Sequence, residues 1–217
     1  MVKRSRDITI SKVVNLLKKN YTYDEFARKN NRDPFRVLIA CILSLRTKDK
    51  VTEGAARRLF RLAKTPEQMI KLSSKQIEKA IYPVGFYRVK AKTIIELCKK
   101  LICDYDSKVP GTVDELLKLK GVGRKTANIV MTFGFNKDGI AVDTHVHRIS
   151  NRLGWVKTRT PHETEFKLKE IVPKKYWILL NELFVRHGQN ICVPISPKCS
   201  ICMIRNYCEK VGVSRHR

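Results

Sequence analysis

The sequence is poor in acidic residues. It contains 20 Asp and Glu residues against 45 Lys and Arg residues, which gives a formal net charge of +25. So large an excess of positive charge indicates either a polyanionic partner or simply an unusually basic surface. The basic residues are spread along the whole chain and form no concentrated amphipathic segment of the kind that binds anionic membranes. Nucleic acid is therefore the partner that the charge favours.

Long apolar runs are also missing. No stretch is apolar over the ~20 residues that a membrane span needs. The N-terminal residues MVKRSRDITI are basic but lack the apolar stretch of a signal peptide. We therefore expect an intracellular protein of the cytoplasm or nucleoid that does not bind a membrane.

The sequence shows no convincing strand-like alternation, no fixed-period repeat and no low-complexity linker. Apolar residues instead recur with helical spacing, so the predicted fold class is all-α. Predicted helices cover residues 7–19, with a short irregular continuation over 21–28, and residues 35–45, 50–63, 88–103 and 176–191. Capping-box signatures, a Ser or Thr followed three positions later by Glu or Gln, occur at Thr65, Ser73, Thr112 and Thr160.

A glycine-rich turn, Gly121-Val122-Gly123, separates two of the predicted helices. Glycine suits a turn that needs a positive φ, and it lets another backbone come close. The amides of Gly121, Gly123 and Arg124 would point outward at the start of the second helix, where the helix carries partial positive charge and binds phosphate readily. Lys125 follows in the first turn of that helix. A short glycine motif alone is equally compatible with a plain turn.

Asp143 follows the apolar run Ile140–Val142 and precedes a helical pattern, so it is predicted to cap a helix N-terminus. A carboxylate at one helix start and a lysine at another, next to a turn that can bind phosphate, form a plausible reactive site.

The seven cysteines suit metal binding better than disulfides in an intracellular protein. Cys192, Cys199, Cys202 and Cys208 form the pattern C-x6-C-x2-C-x5-C. Structural zinc more often pairs two knuckles across a longer gap, so this compact spacing favours an iron–sulfur centre and leaves zinc as the alternative. The other three, Cys41, Cys98 and Cys103, are predicted to be buried small residues in helices.

The segment LKGVGRKTANIV, followed by AVDTHVHR and then the four-cysteine pattern, resembles the endonuclease III family of DNA glycosylases. The resemblance covers residues 33–208. It implies an all-α fold of two helical lobes with a helix-hairpin-helix motif, at about 112–134, and a C-terminal loop around a [4Fe–4S] cluster held by the four cysteines. One lobe would be residues 31–136 and the other residues 1–30 with 137–217.

The same resemblance implies a bifunctional glycosylase and lyase that acts as a monomer on double-stranded DNA with a damaged base or an abasic site. Lys125 would attack the sugar C1′, displace the base, form a Schiff base and cleave the strand on the 3′ side by β-elimination. Asp143 would assist deprotonation or stabilise positive charge on the sugar. Oxidised pyrimidines are the family's usual substrates. The residues expected to contact DNA are Gly121, Gly123, Arg124, Lys120, His145, Arg46 and Phe86.

Two of these DNA contacts depart from the family pattern. In the family, two loops insert side chains into the space that the flipped nucleotide leaves. They correspond here to Ser44–Asp49 and Gly85–Tyr87. Arg46 stands where the family usually has Gln, and Phe86 where Leu is common, so lesion preference remains open. Arg only donates hydrogen bonds, whereas Gln donates and accepts. Phe86 could instead be a core aromatic residue.

Two other functions remain open from the sequence. One is a monofunctional or mismatch-directed glycosylase in which Lys125 only contacts DNA. The other is a non-catalytic helix-hairpin-helix protein that uses the hairpin to bind phosphate. An acidic residue near the DNA backbone contributes nothing to mere binding, so Asp143 together with Lys125 argues against the second.

Overall fold

The structure, a computed structural model, describes residues 2–21 and 33–217, and all the regular secondary structure in that part of the chain is helical, with no β-strand. The predicted all-α class is thus confirmed, while the continuation expected over 21–28 lies almost entirely outside the described residues. The α-helices are α1 (Val2–Asn20), α2 (Pro34–Ser44), α3 (Asp49–Leu62), α4 (Pro66–Ile70), α5 (Ser74–Ile81), α6 (Tyr87–Tyr105), α7 (Val113–Leu117), α8 (Arg124–Ile129), α9 (Thr144–Arg152), α10 (Pro161–Ile171) and α11 (Trp177–Asn190). A π-helix, Val130–Gly134, continues α8, and short 3-10 helices cover Lys174–Tyr176, Cys199–Ile201 and Arg205–Tyr207.

The chain divides into two compact units. One comprises Asn30–Lys137, and the other joins Met1–Lys29 to Asp138–Arg217. In the described residues, no helix is both long and apolar enough to cross a bilayer.

The unit Asn30–Lys137 is built around α2, which is apolar on almost every side and packs against α3, α6, α8 and the π-helix. Asp33 caps α2 by accepting a hydrogen bond from the Phe35 amide at 3.0 Å, and Pro34 occupies its first position. A helix that is apolar on several faces must be covered by other elements on each of those faces. The helices packed around α2 therefore hold both of its ends in place. The loop that follows α2 is thereby held close to the start of α6.

The other described unit packs α1 and α10 with the long helix α11 and with α9. The apolar stripe predicted in α1 is fully buried at Ile10, Val13, Val14 and Leu17. After α11 the chain has only short 3-10 turns, and several of the cysteines pack against the edge of this core.

The four capping-box signatures all begin helices, but only Ser73 forms the complete box with Gln76. At the other three helix starts the Thr hydroxyl accepts the expected amide, while the Glu or Gln side chain is used by a different donor. For example, Glu115 accepts from Tyr105 at 2.8 Å and from Lys118 at 2.6 Å. The complete box was therefore a wrong prediction at Thr65, Thr112 and Thr160.

The burial predicted for the three isolated cysteines is right for Cys41 and Cys98 and wrong for Cys103, which is exposed. Leu97, Cys98 and Leu101 mark the buried side of α6. Cys103 lies two positions beyond Leu101, and that rotates it to the far side of the helix.

Candidate active site and cysteine cluster

The glycine hairpin before α8 uses its two glycines for different purposes. Gly121 has φ +79°, and a Cβ there would lie 3.1 Å from Thr93 Cγ2. A side chain at this position would be strained both by the backbone and by its neighbour. Gly123 has φ −98°, is exposed, and would place a Cβ in open space. The surface beside Gly123 therefore leaves room for another molecule's backbone.

Lys125 is exposed in the first turn of α8, and Arg124 beside it is partly exposed. Gly123 is the N-cap of α8, and glycine has no side chain with which to cap that helix. The Lys125 ammonium lies within electrostatic reach of α2, because its charge opposes the burial that raises the pKa of the Cys41 thiol to about 12. Lys120, also exposed, forms an ion pair with Glu96 at 2.5 Å. This ion pair offsets part of the positive charge of Lys120 beside the hairpin.

Asp143 caps α9, as its position in the sequence predicted. Its Oδ1 accepts hydrogen bonds from the amides of His145 and Val146, each at 2.9 Å. The capping contacts fix the carboxylate at the positive end of the helix, where a negative charge is stabilised.

His145, expected to contact DNA, packs inside its own unit. Its Nδ1 lies 3.0 Å from an Arg148 nitrogen, and a Cβ on Gly188 would lie only 2.4 Å from it. The close approach of α9 to α11 thus depends on glycine at 188. These contacts account for a structural role of His145 within its unit.

The two loops predicted to fill the flipped-out space meet within the unit Asn30–Lys137. The Arg46 guanidinium lies over the Phe86 ring at 5.6 Å. Phe86 is 62% exposed, so the alternative of a core aromatic residue is wrong. Both residues have a left-handed backbone, with φ 52° for Arg46 and 58° for Phe86.

A residue that sequence reasoning missed lies beneath these two loops. Lys90, on α6, is only 6% exposed, and its ammonium donates hydrogen bonds to Leu43 O, Leu45 O and Thr47 Oγ1. Burial lowers the pKa of Lys90 to about 8. No local signal could have found it, because its three acceptors lie more than forty positions earlier in the chain.

The four clustered cysteines line a single cavity of about 30 Å³ in their unit. Burial raises the pKa of the Cys202 thiol to about 11, and the neighbouring cysteines act in the same direction. The sulfur atoms have hydrogen-bond partners: Arg152 donates to Cys192 Sγ at 3.3 Å, and the Lys210 amide donates to Cys208 Sγ at 3.4 Å. Among the described residues, no group of three or more His, Cys, Asp or Glu side chains could hold a single metal ion.

Two arginines that the sequence did not single out connect α9 to this cysteine segment. Arg148 donates twice to the Cys192 carbonyl, at 3.1 and 3.0 Å, and Arg152 donates to the Val193 carbonyl at 2.8 Å. The helix that Asp143 caps is therefore attached directly to the first cysteine.

Comparison with known proteins matches residues 39–174 to the HhH-GPD superfamily of base excision DNA repair proteins. Endonuclease III of Thermotoga maritima is 51% identical over 177 residues, which are 82% of this chain and 83% of that protein. A chloroplastic endonuclease III homolog of Arabidopsis thaliana is 44% identical over 183 residues, which are 80% of this chain but only 47% of the longer plant protein.

Solved structures agree with these relatives. A trapped covalent intermediate of endonuclease III with DNA superposes with a TM-score of 0.82 at 34% identity, over 97% of each chain. A thermostable thymine-DNA glycosylase superposes with a TM-score of 0.81 at 26% identity, over 96% of this chain and 97% of that one. The chain belongs to the endonuclease III family, the DNA glycosylase/apurinic-apyrimidinic lyases of base excision repair.

Proposed function

We propose that this protein is a bifunctional enzyme that removes oxidised pyrimidines from duplex DNA, with Lys125 as nucleophile. The observation that carries the proposal is an exposed lysine in the first turn of a helix whose N-cap is a glycine, directly after a hairpin with open space at Gly123. The duplex backbone would bind at the hairpin through its phosphates, since a helix start without a capping side chain attracts anions. This contact would bring Lys125 to the sugar of the flipped nucleotide.

The chemistry of Lys125 follows from its amine. The neutral Nζ attacks C1′, the bond from C1′ to the base breaks, and the base leaves with the electron pair. Opening of the sugar gives a Schiff base between Nζ and C1′. Loss of a proton from C2′ then expels the 3′ phosphate, which cleaves the strand by β-elimination. In this proposal the Asp143 carboxylate accepts the amine proton or stabilises positive charge on the sugar.

We also propose that Cys192, Cys199, Cys202 and Cys208 hold a [4Fe–4S] cluster. The four side chains line one cavity. Their compact spacing, C-x6-C-x2-C-x5-C, suits an iron–sulfur cluster better than structural zinc, which more often pairs two knuckles across a longer gap. These four cysteines would hold the cluster as thiolates, and the bound iron would offset the repulsion among them.

The test of Lys125 is borohydride trapping on a duplex that carries one thymine glycol. We expect a covalent protein–DNA adduct and a cleaved strand with the natural protein. Lys125→Gln should form no adduct, because an amide cannot form a Schiff base. Lys75→Gln removes the same charge from another exposed lysine of the same unit and should trap like the natural protein. An undiminished adduct with Lys125→Gln would overturn the assignment.

The likeness to a thymine-DNA glycosylase favours one second candidate, a monofunctional enzyme that releases mispaired thymine. A panel of duplexes, each with one lesion or mispair, separates the two functions. Base release without an adduct or strand cleavage, highest on the mispaired thymine, would identify the second candidate. Release of thymine glycol accompanied by strand cleavage would identify the first.

A further inference from the structure

Lys90 has an unusual environment for a lysine. It is almost fully buried, and its ammonium donates to Leu43 O at 2.8 Å, to Leu45 O at 2.5 Å and to Thr47 Oγ1 at 3.1 Å. These three acceptors are uncharged and match the three N–H groups of an ammonium. Burial of a lysine is costly, and burial indeed lowers the pKa of Lys90 to about 8. The three hydrogen bonds to the end of α2 and to the loop that follows it offset part of the free-energy cost of burying the ammonium.

Thr47 extends this contact to the second loop. Its Oγ1 accepts from Lys90 and also from the Gly85 amide at 3.2 Å, and it donates to Leu45 O at 3.2 Å. The two loops are in direct contact at Gly85, where a Cβ would lie only 2.7 Å from Arg46 O. A single hydroxyl and a single ammonium thus join both loops.

The contacts of Lys90 enclose a strained backbone. Leu45 O and Thr47 Oγ1 lie on either side of Arg46, whose φ is 52°. The Lys90 amide donates to the carbonyl of Phe86 at 3.0 Å, and Phe86 has φ 58°. Left-handed backbone is unfavourable for residues with a side chain and persists where the surroundings hold it in place. Here it directs the Arg46 guanidinium over the exposed Phe86 ring.

We propose that Lys90 is a positioning residue that joins the two loops, so that Arg46 and Phe86 enter the duplex as one stacked pair. This inference rests on the proposed function and on the expectation, from the family resemblance, that those side chains fill the space left by the flipped nucleotide. A loop that is already fixed inserts without paying the entropy of ordering two separate side chains. Lys90 is only 6% exposed, so in this proposal it acts through Arg46 and Phe86 and not by contact with the DNA.

The test uses the full-length protein with Lys90→Met, which keeps the apolar stem and removes the ammonium, and with Thr47→Val, which removes the joining hydroxyl. Thr47→Ser keeps that hydroxyl and is the matched control. Rates are measured on thymine glycol in a fully paired duplex and on a preformed abasic site in the same sequence. A 2-aminopurine opposite a tetrahydrofuran site reports by fluorescence whether the stacked pair inserts.

With Lys90→Met and Thr47→Val we expect the rate on the paired lesion to fall about tenfold or more, as for loss of hydrogen bonds to a charged group. Cleavage of the abasic site should fall much less, because it has no base to unstack. The 2-aminopurine signal should weaken. The control Thr47→Ser should match the natural protein in both cleavage rates and in the fluorescence signal. Should Lys90→Met fail to fold, Thr47→Val with its Ser control decides the outcome.

Two results would overturn the inference: equal losses on both substrates, which indicate a purely structural role, or no loss on either. Failure of the proposed function looks different. In that case the natural protein itself would give no covalent adduct with the thymine glycol duplex, whatever residue stands at position 90.

Discussion

The two helices that carry the predicted catalytic side chains begin in different ways. At α9, Asp143 Oδ1 accepts two amides of the first turn, each at 2.9 Å. At α8, the N-cap is Gly123, which has no side chain to accept such amides. A helix start carries partial positive charge, which at α9 is met by the protein's own carboxylate. At α8 the N-cap residue has no carboxylate and the first turn of the helix contains no acidic residue, which suits a site for an external phosphate.

The difference indicates that the two residues relate differently to stability. Asp143 is both a cap and a candidate catalyst, so its loss affects the fold and the activity. Lys125 is exposed in the first turn of α8, so its loss should affect activity far more than stability. Moreover, α9 is bonded through Arg148 and Arg152 to the cysteine segment, whereas α8 lies in the other unit.

The largest loss of stability should come from substitution of a clustered cysteine, and it should be confined to the unit that contains α9. Cys202→Ser removes a proposed cluster ligand, so we expect loss of bound iron and sulfide and destabilisation by several kcal/mol, since cluster binding contributes to folding. Hydrogen exchange should quicken in α9 and α11 but not in α8. Iron and sulfide analysis measures the loss of the cluster, urea unfolding measures the destabilisation, and mass spectrometry measures the hydrogen exchange.

Cys103→Ser is the matched control for that substitution, because Cys103 is exposed on α6, in the unit without the four clustered cysteines. It should retain full iron content and unchanged exchange. Equal quickening of exchange in α8 and α9 with Cys202→Ser would contradict the difference drawn between the two helix starts.

The next effect separates the two roles of Asp143. Asn accepts the same amide hydrogen bonds but carries no charge, so Asp143→Asn should lower activity about 100-fold or more while leaving stability nearly unchanged. Asp143→Ala loses the cap as well and should cost a further ~1 kcal/mol of unfolding free energy. Urea unfolding and single-turnover cleavage measure the two quantities. Full activity of Asp143→Asn would leave Asp143 as a structural cap only.

These local features are the ones that the sequence predicts well. A cap such as Asp143 bonds to amides two and three positions later, and the positive φ of Gly121 is a property of one turn, so neighbouring residues suffice to predict them. Exposure of Cys103 was also within reach, because the spacing of the buried residues in α6 already points it outward.

What the sequence could not reveal depends on distant partners. Lys90 reads as an ordinary surface lysine until α2 and α6 pack and bring three acceptors to it. The π-helix after α8 likewise has no local signature. A Cβ on Gly134 at its end would lie 2.9 Å from Pro34 Cα, so the close approach of α2 constrains that turn.

The smallest expected effect concerns DNA affinity at the start of α8, and it is tested by the same substitution, glycine to alanine, at the two glycines of the hairpin. Gly123→Ala adds a methyl group where nothing lies within 4 Å and where φ is −98°, so stability should be unchanged. The methyl would stand where the phosphate is proposed to approach, so affinity for an abasic-site duplex should fall a few-fold. Gly121→Ala, with φ +79° and Thr93 at 3.1 Å, should instead cost about 1–3 kcal/mol of stability.

Urea unfolding and DNA binding at several salt concentrations distinguish the two variants, because loss of a phosphate contact also reduces the salt dependence of the affinity. Gly123→Ala should therefore bind more weakly with a shallower salt slope, and Gly121→Ala should be less stable. If Gly123→Ala binds DNA like the natural protein, the phosphate does not approach the hairpin at Gly123. The open start of α8 would then need another explanation, while the capping role of Asp143 at α9 would stand.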